Sequence, residues 1–244
     1  MKKAYLLLLT ALVACNNPKT AEDFDAYLEE AYQENLALYR LPSTYLGESR
    51  YNDTLPNYLS KEFSEKEIAL NEKYKAGLAQ FPDDILSEDQ RLSKQLMLWE
   101  IDIALADKKY LKHLMPLDQM WSFHLSFGQL ASGQGAQPFA TPQDYRNWLV
   151  RVEGYLAWMQ SAEDNMREGI EKGWVLPTSL IKKVIPQLAQ MVTETVEEHL
   201  FYAPIKNLPD SFDEADKENF TTAYTALIQD KVIPAYRRLH DFMA

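Results

Sequence analysis

The chain has 244 residues, a formal net charge of −11, 46% hydrophobic residues and one cysteine. This apolar content predicts a folded protein with a well-buried core and argues against a disordered chain. An acidic surface is repelled by phosphate backbones, so nucleic acid is not an expected partner. A single thiol excludes an intrachain disulfide or a cysteine-rich zinc site.

The first residues have the pattern of a bacterial lipoprotein signal. Lys2 and Lys3 precede an apolar run that is too short to span a bilayer, and small Ala14 permits cleavage before Cys15. The pattern predicts a signal peptide over residues 1–14, a lipid on Cys15, and a tether over residues 15–19. An ordinary signal peptide with a chance cysteine is the alternative.

A lipid on Cys15 would make the membrane the first partner of this protein. Loss of Lys2 and Lys3 with the signal takes the net charge from −11 to −13, so the lipid and not a basic patch is expected to hold the membrane. The predicted location is the bacterial cell envelope. Asn16 does not resemble an inner-membrane retention signal, which favours the outer membrane or its periplasmic face.

The first half of residues 20–244 carries three helical patterns. Thr20 with Asp23 resembles a capping box, and the helix after it is expected to end before Pro42. Residues 41–60 read as an extended loop, and Ser64 lies at or within the first turn of a second helix that runs to about Gln80. Ser87 opens a third helix, which ends before Pro116 and is apolar along Leu92, Leu96, Trp99 and Ile103.

The second half begins with an irregular segment and continues as helices. Residues 116–140 hold glycines among aromatic residues and predict an irregular connection. Thr141-Pro142 and Asp144 predict the start of a long fourth helix that ends near Lys172, with Gly173 as a left-handed cap. Helical pieces follow over residues 178–199, bent at Pro186, and from residue 213 to the terminus, bent at Pro234.

These elements predict an all-α fold, a bundle of long antiparallel helices with one irregular aromatic and glycine-rich insertion. An apolar row continues almost to Ala244, so either the last helix frays at a natural terminus or the chain was cut inside a larger fold. Residues 20–244 are accordingly expected to be one helical domain.

Histidine spacing does not predict a metal site. A helix presents two ligands together when they are three or four residues apart, and none of His113, His124, His199 and His240 has a second ligand at those offsets. Glutamates at 194, 197 and 198 precede His199, but a solvated helix face explains them better than a cation site.

Other catalytic motifs also fail by spacing. Ser132 lacks the glycine frame of a nucleophile elbow, and no strand precedes Gly133 as a phosphate loop requires. No catalytic residue, metal ligand or cofactor site is therefore assigned. Aromatic side chains of the irregular insertion are candidate lining residues of a ligand groove, although they could equally pin the loop to the bundle: Trp121, Phe123, Phe127 and Phe139.

Several motifs in order along the chain resemble the bacterial domain of unknown function 885 family. They are Leu46-Gly47 before Arg50-Tyr51, Gln137-Pro138-Phe139, Thr141-Pro142-Gln143-Asp144-Tyr145-Arg146-Asn147-Trp148-Leu149, Met166-Arg167-Glu168-Gly169-Ile170 with Gly173 and Pro177, and Ile233-Pro234-Ala235-Tyr236. The resemblance covers most of the chain after the signal. Gln137, Arg146 and Arg167 match positions of the family, and structural roles are expected for them.

The resemblance implies an exported lipoprotein whose longer relatives carry a zinc-metallopeptidase-like His-Glu-x-x-Pro-Gly-His motif in a later half. That motif is absent from this chain, so the resemblance implies the leading helical half, with zinc expected only in a catalytic C-terminal segment. The first hypothesis is therefore a helical portion that is not catalytic alone. The alternative is a complete, non-enzymatic helical lipoprotein that binds a peptide, a glycan or a partner protein.

Overall fold

The computed structural model describes residues 19–244, so the predicted signal peptide, Cys15 and nearly all of the tether lie outside the described residues. The helices are α1 Ala21–Leu38, α2 Arg40–Tyr45, α3 Lys61–Leu78, α4 Glu88–Asp107, α5 Phe123–Ala131, α6 Pro142–Lys172, α7 Thr178–Ala189, α8 Ala203–Lys206, α9 Glu214–Leu227 and α10 Ile233–Met243. No β-strand occurs over residues 19–244, and the all-α fold class is confirmed.

The predicted starts of three helices are confirmed by side-chain caps, whereas α3 begins at Lys61 after its cap Ser60, so Ser64 lies inside the helix. Thr20 and Asp23 form a capping box at α1, and Ser87 with Gln90 forms one at α4. At α6 the box is formed by Thr141 and Asp144, with a proline in the first turn. Gly173 ends α6 at φ +73°, the left-handed conformation that glycine adopts without strain.

Two helices lie where irregular structure was predicted. The short helix α2 includes Pro42 at its third position, where the missing N–H has no helical acceptor to lose. Helix α5 forms within residues 116–140 because Phe127, Leu130 and Ala131 become fully buried against the core, which outweighs the low helix propensity of Gly128. Residues 41–60 and 116–140 are therefore more ordered than their composition indicated.

The predicted helix over residues 178–199 is too long. Helix α7 includes Pro186 but ends at Ala189, and the chain then turns back on itself. The turn is held by His199, whose Nε2 donates to the carbonyl oxygen of Met191 at 3.1 Å. Near the C-terminus, Pro234 cannot donate to the preceding turn, and one π-helical turn, Ile228–Val232, separates α9 from α10.

The main core surrounds α6, as its predicted apolar row requires. Trp148, Val152, Tyr155 and Met159 are buried there, and the ring of Phe127 stacks on Tyr155 at a centroid distance of 4.1 Å. A second, smaller core lies between α1, α3 and α4 and consists of Phe24, Ala31, Tyr74, Leu78, Phe81, Leu86 and Ile101.

Residues 51–59 lie along one face of α6 and are held there by hydrogen bonds. Arg151 Nε donates to the carbonyl oxygen of Thr54 at 3.2 Å, and Asn165 Nδ2 donates to that of Leu59 at 3.2 Å. Asn57 Nδ2 donates to Ser161 Oγ at 2.8 Å. These contacts extend along α6 from Arg151 to Asn165, so a segment without regular structure has a fixed position.

Candidate functional site

A row of exposed apolar side chains runs along α4. Its members, here called the α4 row, are Leu92, Leu96, Trp99 and Ile103, with 56%, 53%, 63% and 47% of their surfaces exposed. The opposite side of α4 contacts the smaller core through Ile101, which is buried, and through Met97, Leu98 and Leu105. The apolar side that the sequence indicated is therefore the side that faces solvent.

A second apolar surface forms a cavity of about 210 Å³ where the C-terminal ends of α6 and α10 meet. This end cavity is lined by Leu114, Met115, Met166, Ile170, Trp174, Val175, Leu176, Ile181, Phe242 and Met243. Ile170 and Val175 are more than half exposed. Sequence reasoning missed this site because its wall combines residues far apart in the chain. The one local signal was the apolar Trp174-Val175-Leu176 between Gly173 and Pro177.

A charged cluster borders the end cavity. The nearly buried carboxylate of Glu163 accepts hydrogen bonds from Arg167 Nη2 at 2.7 Å and from Arg238 Nε at 3.0 Å. The Arg167 guanidinium also lies over the ring of Phe242, 4.5 Å from its centroid. These contacts tie α6 to α10 and assign Arg167 a structural role. Gln137 also has one, since it contacts Arg151 in the interior.

The buried histidines are neutral groups of the fold. Burial lowers the pKa of His124 to about 4 and that of His199 to about 4. His199 Nδ1 accepts from the backbone N–H of Phe201 at 3.2 Å, and His124 Nδ1 contacts Ser122 Oγ at 2.7 Å. Both rings are therefore held by neutral partners.

The glutamates near His199 do not form a ligand cluster. Glu194, Glu197 and Glu198 are exposed, and their segment is not helical, so the shared helix face of Glu194 and Glu198 does not exist. Over residues 19–244, no group of three or more His, Cys, Asp or Glu side chains is placed to hold a metal ion.

The four rings proposed for a ligand groove do not line one together. Phe127 is fully buried, and Phe123 and Phe139 pack against the main core. Trp121 alone points into solvent, with 85% of its surface exposed. Phe123 lies 4.9 Å from Trp158 between ring centroids, and Phe139 lies 5.7 Å from Trp148. Burial against α6 thus explains why these rings occur at the insertion.

No helix within residues 19–244 combines the length and the hydropathy that a membrane span needs.

A longer protein of known structure contains a similar fold. The chain is similar to a crystal structure named a putative lipoprotein from Colwellia psychrerythraea, with a TM-score of 0.69 at 13% sequence identity. The alignment covers 91% of this chain and 40% of that one, so the chain spans less than half of its neighbour. No curated protein matches the chain.

A family model matches residues 42–244, which includes α3 to α10 and both apolar surfaces. The motifs that suggested the family lie within this range, from Leu46-Gly47 to Ile233-Pro234-Ala235-Tyr236. The chain belongs to the family described as bacterial protein of unknown function DUF885.

Proposed function

We propose that this chain is the leading helical portion of a lipid-anchored, zinc-peptidase-like protein and is not catalytic alone. The observation that carries the proposal is the length relationship. Nearly the whole chain aligns with 40% of a longer protein of the same fold, which leaves the larger part of that protein for another role. In this proposal a further segment supplies the zinc ligands and the general base.

The end cavity supports the proposal, because it is an apolar surface that a further segment can cover. Ile170, Trp174 and Val175 are exposed on one side of it, and Phe242 and Met243 form another side. An exposed apolar patch beside ordered charged residues is typical of an interaction surface. The helical portion would then pack beside the catalytic segment and form one wall of its cleft.

The length of the native protein tests this proposal. An antibody raised against the 28.2 kDa chain is used on an immunoblot of the envelope fraction of the source bacterium. The expected band is more than twice that mass, and it is lost from the membrane fraction when Cys15→Ala removes the lipid acceptor. A single band at the mass of this chain would contradict the proposal.

The alternative function, a non-enzymatic lipoprotein that binds a partner, is favoured by a different observation. The α4 row is exposed on the smaller core and does not line the end cavity. If the chain is a complete binding protein, it should unfold in one cooperative transition. It should also stay monodisperse in solution although both apolar surfaces are exposed.

A further inference from the structure

The α4 row has the spacing of a coiled-coil seam. Leu92, Leu96, Trp99 and Ile103 are separated by four, three and four residues, and exposed Ala106 continues the pattern after three more. Alternating steps of three and four place side chains at the a and d positions of a heptad, which contact a partner helix. From Leu92 to Ile103 the row extends about 16 Å at 1.5 Å per residue.

The fold does not use this row. Helix α4 already contacts α1 and α3 through Ile101, Met97, Leu98 and Leu105 on its other side. A surface helix of a soluble protein normally buries one apolar stripe and exposes a polar one. A helix with an apolar stripe on each side is typical of a helix with a second packing partner.

The charges beside the α4 row determine which charges on a partner helix would be complementary to it. The e and g positions next to it hold Ser93, Gln95, Glu100, Asp102 and Asp107 and include no cation. Asp102 pairs with Lys75 at 2.5 Å and Asp107 with Lys112 at 2.6 Å, whereas Glu100 forms no ion pair within residues 19–244. Lys94 is directed away, because its Nζ donates to the carbonyl oxygen of Phe81 and to Asp83.

This border disfavours two other occupants. A second copy packed antiparallel would bring Glu100, which has no ion-pair partner within residues 19–244, against the same glutamate of the other copy, and like charges repel. A helix that lies on a membrane carries Lys and Arg on its polar face, and acidic borders are repelled by anionic lipids. A helix with cations beside its apolar residues is complementary to the α4 row in both shape and charge.

We propose that the α4 row is a docking site for an amphipathic helix of another protein, one whose apolar a and d residues are bordered by Lys or Arg. This site is independent of the end cavity and of the proposed zinc-peptidase role. All residues of the proposed site lie on α4, so the purified chain is sufficient for the test.

The test measures binding of two designed helical probes to the full chain by fluorescence anisotropy. Each probe has roughly three heptads with Leu at a and d, and the e and g positions are Lys in one and Glu in the other. The Lys probe is expected to bind, and the Glu probe is not. Leu96→Gln with Trp99→Gln should weaken Lys-probe binding by on the order of a hundredfold, because two apolar side chains that the bound probe would bury are lost.

The matched control is Val150→Gln, which changes an exposed apolar residue on α6 outside the row. It should leave binding unchanged, and Glu100→Lys should weaken the Lys probe and strengthen the Glu probe. Circular dichroism and thermal unfolding verify that the variants fold, as their exposed positions predict.

Four results of the probe-binding assay would overturn the proposal. They are equal binding of both probes, no binding of either, binding that survives the double variant, and binding that the Val150 control also abolishes. Row-dependent binding to vesicles of phosphatidylethanolamine and phosphatidylglycerol without peptide binding would instead assign the row to a membrane. A dimer in sedimentation that the double variant disperses would assign it to a second copy.

Discussion

Arg151 Nη1 donates a hydrogen bond to Oε1 of Gln137 at 2.6 Å, and both residues are almost completely buried. The other guanidinium nitrogens donate to the carbonyl oxygens of Tyr51 and Thr54. Burial lowers the pKa of the Arg151 guanidinium to about 10, and within residues 19–244 it forms no ion pair. The buried guanidinium of Arg151 thus holds residues 51–54 against α6 by hydrogen bonds to neutral acceptors.

The first prediction concerns this contact. Arg151→Lys should lower the free energy of unfolding by about 2–4 kcal/mol, because a lysine cannot reach three acceptors in fixed directions and leaves buried carbonyl groups unpaired. Urea unfolding measures the loss. Arg146→Lys, the same change at an exposed position of α6, should alter the stability by less than about 0.5 kcal/mol. Equal losses in the two variants would remove the special role of Arg151.

The second prediction concerns the close approach of Gly154 to the same segment. A Cβ at Gly154 would lie 2.6 Å from the carbonyl oxygen and 2.9 Å from the Cβ of Leu55. Gly154→Ala should therefore destabilise the protein by about 1–3 kcal/mol, against the usual gain for alanine in a helix. At Gly128 the nearest atom is Leu200 Cδ2 at 3.5 Å, so Gly128→Ala should be neutral or stabilising. Thermal unfolding of both variants compares them, and a gain of stability in the Gly154→Ala variant would disprove the close packing.

Local signals predicted much of the fold. Caps and proline positions correctly fixed the starts of α1, α4 and α6, because capping is decided by residues three apart. Helix α5 and the turn after Ala189 could not be predicted, since burial of Phe127 and the contact of His199 with Met191 depend on the assembled core.

The candidate sites were harder to predict for the same reason. Periodicity identified the α4 row, yet Met97, Leu98, Ile101 and Leu105 make the other side of α4 apolar as well. Which side faces solvent depends on the position of α1 and α3. The end cavity joins Leu114 to Met243, and no local pattern relates residues so distant in sequence.

The third prediction is a loss of stability in mild acid. Unfolding raises the pKa of His199 from about 4 to its ordinary value near 6.5. As the pH falls, the unfolded state is therefore protonated at a higher pH than the folded state, which favours unfolding. The contribution of His199 is complete above pH 6.5 and declines as the pH falls toward 4. It should reach on the order of 2 kcal/mol of destabilisation by pH 5. His124 acts in the same direction.

Urea midpoints measured between pH 7 and pH 5 test this dependence. His199→Gln should flatten the profile, whereas His113→Gln, a change at an exposed position, should not. A pH profile that is identical in the His199 variant and the parent protein would refute the assignment.

The fourth prediction concerns the end cavity. Ile170→Lys places a charge in the last turn of α6, where a cation is favourable, and should leave the stability nearly unchanged. It should reduce the fluorescence of a hydrophobic dye bound to the chain, because the cavity loses an exposed apolar wall. Val150→Lys on the same helix is the matched control and should reduce the fluorescence less. An equal decrease in the two variants would mean that the cavity is not the dye site.

The zinc content of the purified chain tests the central claim most directly. The protein is incubated with zinc chloride, dialysed and analysed for metal by mass spectrometry, and its cleavage of a casein substrate is measured alongside. The account predicts far less than one zinc per chain and no zinc-dependent cleavage, because the ligands belong to another segment. One tightly held zinc per chain, with cleavage that a chelator abolishes, would contradict it.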